Sequence, residues 1–334
     1  MKIAYLGSNR SACDLYRASL PFKYSENECG MVNKEVKNII NTETNEVVGT
    51  NIEADVLIVP RPVSEVQYKV AQGALADGMT LVVEIDDMLD AVHQRNAAYR
   101  QSKAGVRWML KTMELAHLIT ASTPTLANRY FPEKSLVVEN YILDVFFDFE
   151  PSDEKEGIGW TGSIDVHPDD LDVTGDALRK MKKRHGWEFK HIGKGNLAPV
   201  LKMDYTSYGK LGFDQYMLGI DRFAVGIVPL ANNEFNNGKS WLKGIEYASM
   251  GVPFVASGTA AEYRRLQEVH QMGTLVYDSY GWYTELRRLC TDESLRNEQS
   301  ERYRQTAYEN LRISQNAWKW DEAWEYAVQR RNNG

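Results

Sequence analysis

Lys239 and Glu246 are the residues of this 334-residue chain whose types and spacing first suggest chemistry. Lys239 and Ser240 follow Asn236-Asn237-Gly238 and open a stretch with helical spacing near 239–250. The start of a helix leaves N–H groups without partners and attracts anions, and a lysine there adds a point charge. Glu246 lies seven residues on and shares the Lys239 face, about 10 Å further along the axis. A diphosphate at the lysine and a hydroxyl-rich group at the glutamate together describe a nucleotide-sugar. Ile245, Tyr247 and Ala248 around the glutamate argue against a solvated surface helix. Gly251-Val252-Pro253 then stops the helix and delivers the chain into an apolar strand.

The other candidates also follow apolar runs. On the donor side they are Gly162, Ser163 and His167 in "TGSIDVHPDD", Gly193 and Lys194 in "IGKGN", and Glu234, Asn237 and Gly238 in "ANNEFNNGKS". Gly7 and Ser8, with Arg10, follow the first strand, where a glycine lets backbone approach a phosphate; a plain tight turn reads the same way. Arg10 and Arg17 are placed on the acceptor side. Asp86 and Asp87, with Asp90, could bind a metal, take a proton from an acceptor or cap the next helix. His93 is a candidate to orient a group or act as a base. Arg100, Lys103, Arg107 and Lys111 recur at i, i+3, i+7 and i+11, beside an apolar face of Tyr99, Val106, Leu110 and Met113. Such a stripe is a solvated face or one that meets DNA or anionic lipid phosphate. No Ser-His-Asp order, Walker loop, dinucleotide fingerprint or His/Cys metal spacing is present.

Strands must aim these residues, and the chain alternates short apolar runs with helical patterns throughout. Strands are expected at Lys2–Ser8, Ala54–Pro60, Leu81–Asp87, Leu118–Ser122 and Ser135–Asn140, then at Gly157–Gly162, Glu188–Gly193, Phe223–Leu230, Pro253–Ser257 and Thr274–Asp278. Helices are expected near 11–20, 64–76, 97–116 and 123–130, then 169–184, 239–250, 280–290 and 292–312. This pattern, met twice, predicts an α/β chain of two Rossmann-like, doubly wound parallel-sheet domains facing a cleft, with ligands beyond the carboxyl ends of the strands. The polar segment "EPSDEKEG" at 150–157 is the expected linker, between a domain at 1–150 and a second at 151–313.

Composition bounds the rest. At 43% hydrophobic and 25% charged the chain is globular, and no apolar run approaches the length of a membrane span. "MKIAYLGS" reads as a strand rather than a signal peptide. Cys13, Cys29 and Cys290 lie far apart, which points to a reducing compartment, by default the cytoplasm. Net charge is −7, and residues 1–150 carry 15 basic against 20 acidic side chains. An anionic partner must therefore meet a local patch.

"KSWLKGIEYASMGVPFVAS" resembles the donor-binding segment of the GT-B glycosyltransferases, especially family 4. "GIGWTGS", "FKHIGKGN" and "FDQYMLGIDRFAVGIVPL" are similar to earlier parts of that C-terminal domain, and "NAWKWDEAWEYAVQ" to its last helix. "IAYLGSNRSACDLYRASLP" and "LVVEIDDMLD" look like the opening of some bacterial and phage members. The resemblance implies an enzyme of the hexosyltransferase type, using a nucleotide-sugar, in particular a UDP-sugar. It also implies Glu246 on the ribose, retention of configuration and a terminal helix (314–334) returning to the N-terminal domain. Leaving-group assistance by the phosphate then needs no dedicated base; an inverting enzyme would use Asp86, Asp87 or His93. No cofactor or essential divalent metal is implied, because helix dipole and basic residues steady the departing diphosphate. The acceptor is a saccharide, a lipid, hydroxymethylated DNA or a protein side chain. An epimerase of the same architecture and a non-catalytic nucleotide-sugar binder are the alternatives. In the family a first Glu often precedes the second with seven residues between them. Gly238 stands there in this chain, and Glu234 could substitute if the loop is one turn longer.

Overall fold

The computed structural model describes residues 1–7, 12–32, 36–44 and 46–333. They form two compact units. The first comprises Met1–Val92, Tyr99–Asn140 and Ile313–Gly334, and the second His93–Ala98 and Tyr141–Arg312.

In the first unit, strands β1 (Lys2–Leu6), β2 (Glu28–Val32), β5 (Val56–Pro60), β6 (Thr80–Ile85), β7 (Leu118–Ala121) and β8 (Ser135–Val137) form one parallel sheet in the order β2-β1-β5-β6-β7-β8. A small antiparallel hairpin, β3 (Asn38–Ile40) with β4 (Val47–Thr50), stands apart from it. All six residues of β6 are buried, as a strand covered on both faces requires, and this is why "TLVVEI" reads as one apolar run. Helix α1 (Glu65–Ala76) starts where the Ser64 hydroxyl accepts the Gln67 N–H. Helix α2 (Tyr99–Leu115) buries Ser102, Gly105, Met109, Thr112 and Met113, one face at helical spacing.

In the second unit, β9 (Ile158–Thr161), β10 (Phe189–Ile192), β11 (Thr206–Ser207), β12 (Val225–Val228), β13 (Phe254–Ser257) and β14 (Thr274–Val276) make a parallel sheet in the order β11-β10-β9-β12-β13-β14. Helices α3 (Ala177–His185), α4 (Phe213–Asp221), α5 (Leu242–Ser249), α6 (Ala261–His270), α7 (Ser279–Thr291) and α8 (Glu293–Asn310) alternate with the strands. Trp160, Phe189, Val225, Ile227, Val255, Trp282 and Leu286 fill one core.

Two doubly wound parallel sheets are what the alternating pattern predicts. The pattern does not reveal β2, the hairpin, β11 or α6. "ECGMV" is a sheet-edge strand without an apolar run, β11 has two residues, and "AEYRRLQEVH" is too polar to stand out. Helix α9 (Trp318–Asn333) lies in the first unit, burying Trp320, Ala323, Trp324 and Ala327. No helix among the described residues is long and apolar enough to cross a membrane.

Candidate functional site

The helix that carries Glu246 begins later than the spacing suggests. Asn233 caps a separate single turn, Glu234–Asn237, its side chain accepting the Asn236 N–H at 2.9 Å. Lys239 and Ser240 therefore lie between that turn and α5, which starts at Leu242. Expecting the helix to open at Lys239 was wrong by three residues, because an asparagine cap intervened. The cap residue of α5, Trp241, gives no side-chain hydrogen bond to the first turn. The Lys239 ammonium sits over the Phe235 ring, 4.3 Å from its centroid.

Glu246 is only 4% exposed. The Tyr216 hydroxyl of α4 donates to its Oε2 at 2.7 Å. Burial, then the Glu246 carboxylate, pushes that phenol well above its ordinary range. Next to it, the Tyr247 hydroxyl accepts the Thr161 N–H at 3.1 Å and donates to the Ile227 carbonyl at 3.2 Å, which pins α5 to β9 and β12. The helix ends as Gly251, at φ 61°, donates to the Ala248 carbonyl and Val252 to that of Tyr247.

The loop after β9 brings a second group of polar atoms. His167 Nδ1 and Asp170 Oδ2 are 2.8 Å apart, and Asp170 Oδ1 accepts from Ala231 N at 3.0 Å and from Asn236 Nδ2 at 2.7 Å. Burial holds the His167 pKa below its usual value, and the Lys239 and Lys243 ammoniums depress it further against the Asp170 hydrogen bond. Burial would raise the Asp170 pKa, but the His167 hydrogen bond and the two amide donors bring it down. Both shifts favour a neutral imidazole beside a carboxylate, and in that form the Nδ1 proton goes to Asp170 and Nε2 is an acceptor. Such an acceptor suits a hydroxyl; a diphosphate held there would draw a proton onto the ring.

Gly162 and Gly193 do not open space for a ligand. A Cβ on Gly193 would overlap the Gly162 carbonyl oxygen, so Gly193 lets the β9 and β10 loops touch, whereas a Cβ on Gly162 would run into the Trp160 ring. Ser163 Oγ accepts the Lys194 N–H at 3.2 Å across the same contact. Gly193→Ala should cost more than about 1 kcal/mol, read as a lower melting temperature. An unchanged melting temperature would mean the loops can part freely.

Several expected residues are placed otherwise. Glu234 is exposed at the first position of its single turn, Glu234–Asn237. The deeply buried asparagine is Asn236 rather than Asn237. Arg17 was expected on the acceptor side, but it is buried at 2% exposure, its Nε on Glu84 Oε1 at 2.8 Å and its guanidinium over Trp320. His93 belongs to the second unit, 3.6 Å from Asp169, whereas Asp86 and Asp87 belong to the first. Asp86 Oδ1 faces Arg61 Nε at 3.4 Å. Asp90 is held by Arg129 and Tyr130: burial would raise its pKa, and those hydrogen bonds bring it below its usual value. Gly7 donates to the carbonyls of Tyr5 and Val32, closing a turn. Ser8 and Arg10 lie outside the described residues. Arg100, Lys103 and Arg107 are exposed on α2. Among the described residues no group of three or more His, Cys, Asp or Glu is placed to hold a metal ion.

Sequence reading missed Asp170, Asn236, Tyr216 and Arg61. Asp170 carried a usable signal, three residues after His167 in a loop that follows a strand.

HepE from Anabaena, solved with UDP and glucose, superimposes with a TM-score of 0.69 at 13% identity, over 97% of this chain and 99% of that one. The fold is GT-B. TarM from S. aureus, solved as a mutant with fondaparinux, alpha-GlcNAc-glycerol and UDP, gives 0.61 at 11% identity over 86% of this chain. The chain spans about 64% of the length of TarM. A putative UDP-N-acetylglucosamine 2-epimerase from Listeria monocytogenes gives 0.58 at 10% identity, over 98% of this chain and 96% of that one. No protein-family model matches the chain, and no curated protein sequence matches it.

Proposed function

We propose that the protein is a glycosyltransferase that takes its sugar from a nucleotide-sugar, in particular a UDP-sugar, with retention of configuration. One observation carries this reading: Glu246 is almost completely buried on α5, the helix that follows Lys239 and carries Lys243, and those two ammoniums act on the His167–Asp170 pair. A carboxylate is kept in such a place only where hydrogen-bond donors meet it. Tyr216 supplies one, and the hydroxyls of a ribose would supply more.

In this mechanism Glu246 holds the ribose, while the first turn of α5 with Lys239 and Lys243 receives the diphosphate as the glycosidic bond breaks. The leaving phosphate takes the proton of the attacking hydroxyl, so no side chain need serve as base. His167 Nε2 accepts from a sugar hydroxyl, and Asp170 fixes its ring. UDP and UDP with glucose in the related folds support the choice of donor, as does the resemblance of "KSWLKGIEYASMGVPFVAS" to family 4. The acceptor is a saccharide, lipid or modified DNA base.

The epimerase fold neighbour gives the rival reading its footing. Incubating the purified protein with UDP-glucose and UDP-N-acetylglucosamine and separating the products decides between them. Free UDP, increasing when an acceptor-rich envelope extract is added, is the expected result. A new UDP-sugar epimer formed without acceptor would establish the rival, and no turnover of any UDP-sugar under either condition would count against both.

A further inference from the structure

The exposed side of α2 carries Arg100, Lys103, Arg107 and Lys111, and none of them has an acidic partner among the described residues. Three of the four lie over aromatic rings. Lys103 lies over Tyr99, and Arg107 and Lys111 lie over Trp108, whose ring meets Tyr68 of α1 at 5.5 Å. One acid, Glu114, shares this side in the last turn, its carbonyl taking the Lys134 ammonium. Four uncompensated cations along 17 residues, about 25 Å of helix, are unusual in a chain of net charge −7.

Aliphatic side chains stand out on α1, which packs beside α2, and on the β3–β4 hairpin, which packs on α1. Gly105 of α2 rests on Val63, and one turn on, Val66 of α1 is 69% exposed. At the other end of α1, Gly73 touches the Gly49 carbonyl of the hairpin closely enough that a Cβ there would approach it to 2.6 Å. The register slips between Ile39 and Ile40, so these consecutive isoleucines are both about half exposed, as is Val48 on the facing strand. Leu110 is exposed among the cations themselves.

From these observations we infer that the α2 face, with α1 and the β3–β4 hairpin, docks the protein on an anionic lipid bilayer. A flat helix presents its cations to headgroup phosphates in one plane, while the isoleucines and valines reach the acyl boundary. Duplex DNA would use the cations but leave the aliphatic residues in water. The inference stands on the surface alone and does not need the donor reading.

Sedimentation with vesicles of phosphatidylglycerol and phosphatidylcholine, against vesicles of phosphatidylcholine alone, tests it. The full chain should bind the anionic vesicles and not the neutral ones. The double substitutions Arg100→Gln/Lys103→Gln and Arg107→Gln/Lys111→Gln should each weaken binding by more than tenfold, about fivefold per charge removed. Ile39→Ser/Ile40→Ser should leave a residual binding that high salt abolishes. Melting temperatures with and without UDP, measured on each variant, separate a misfolded protein or a failed donor site from a failed surface. Absence of binding to anionic vesicles, or binding that all three variants retain, overturns the inference. Retardation of a 30-base-pair duplex that the charge variants abolish, with no vesicle binding, would assign the face to nucleic acid instead.

Discussion

Glu246→Gln is expected to fold and to lose most of its affinity for the donor nucleotide. The substitution keeps the side chain's size and an oxygen for the Tyr216 hydroxyl, but removes the charge that would hold two ribose hydroxyls. Hydrogen bonds to a charged group contribute about 1.5–3 kcal/mol, so the dissociation constant for UDP should rise by roughly 10- to 150-fold. Glu246→Ala should do the same and also lower stability by about 1–3 kcal/mol, because the buried Tyr216 hydroxyl loses its acceptor. Titration calorimetry with UDP on both variants checks this. An unchanged affinity in Glu246→Gln would remove the residue from the site and return it to scaffold.

The second large effect lies in the first unit. Arg17→Ala should destabilise it by about 3–5 kcal/mol, because Glu84 would keep its burial and lose the guanidinium that compensates it. Thermal unfolding should drop by on the order of 10 °C. Burial already raises the Glu84 pKa against the pull of Arg17, and without Arg17 it rises further. A carboxyl whose folded pKa lies above its unfolded value favours the native state at low pH and loses that contribution as pH rises through the folded pKa. The deficit of Arg17→Ala should therefore narrow as pH is lowered from 7 towards about 5. A melting temperature within a degree or two of the parent, or a deficit independent of pH, would contradict this account of the pair.

These two residues show what was legible in the sequence. Glu246 could be found because it interrupts an apolar helical face next to a Gly-Val-Pro stop, and only a buried role explains a carboxylate there. Arg17 could not be placed. It sits in a π turn, Leu15–Ser19, and its partners come from β6, from residues 139 and 140 and from Trp320, so nothing local distinguishes it from a solvent-facing arginine. Tyr216 escaped for the same reason, thirty residues from the glutamate it serves. The alternation of strands and helices was plain wherever strands are buried on both faces, as in "TLVVEI". It faded at sheet edges, where one side of the strand meets water and the apolar run breaks up. The true start of α5 was hidden by competition between two caps, since Asn233 organises its own turn before Trp241 opens the helix.

The measurement that tests the central claim most directly is the melting temperature of the full chain with UDP, GDP, ADP and TDP, each alone and as a sugar conjugate. A ligand that binds only the native state stabilises it by about 2.7 kcal/mol at a hundred times its dissociation constant. The account predicts a clear rise with UDP and UDP-sugars, a smaller one or none with the others, and loss of the rise in Glu246→Gln. No rise with any nucleotide, or an equal rise in that variant, would contradict it.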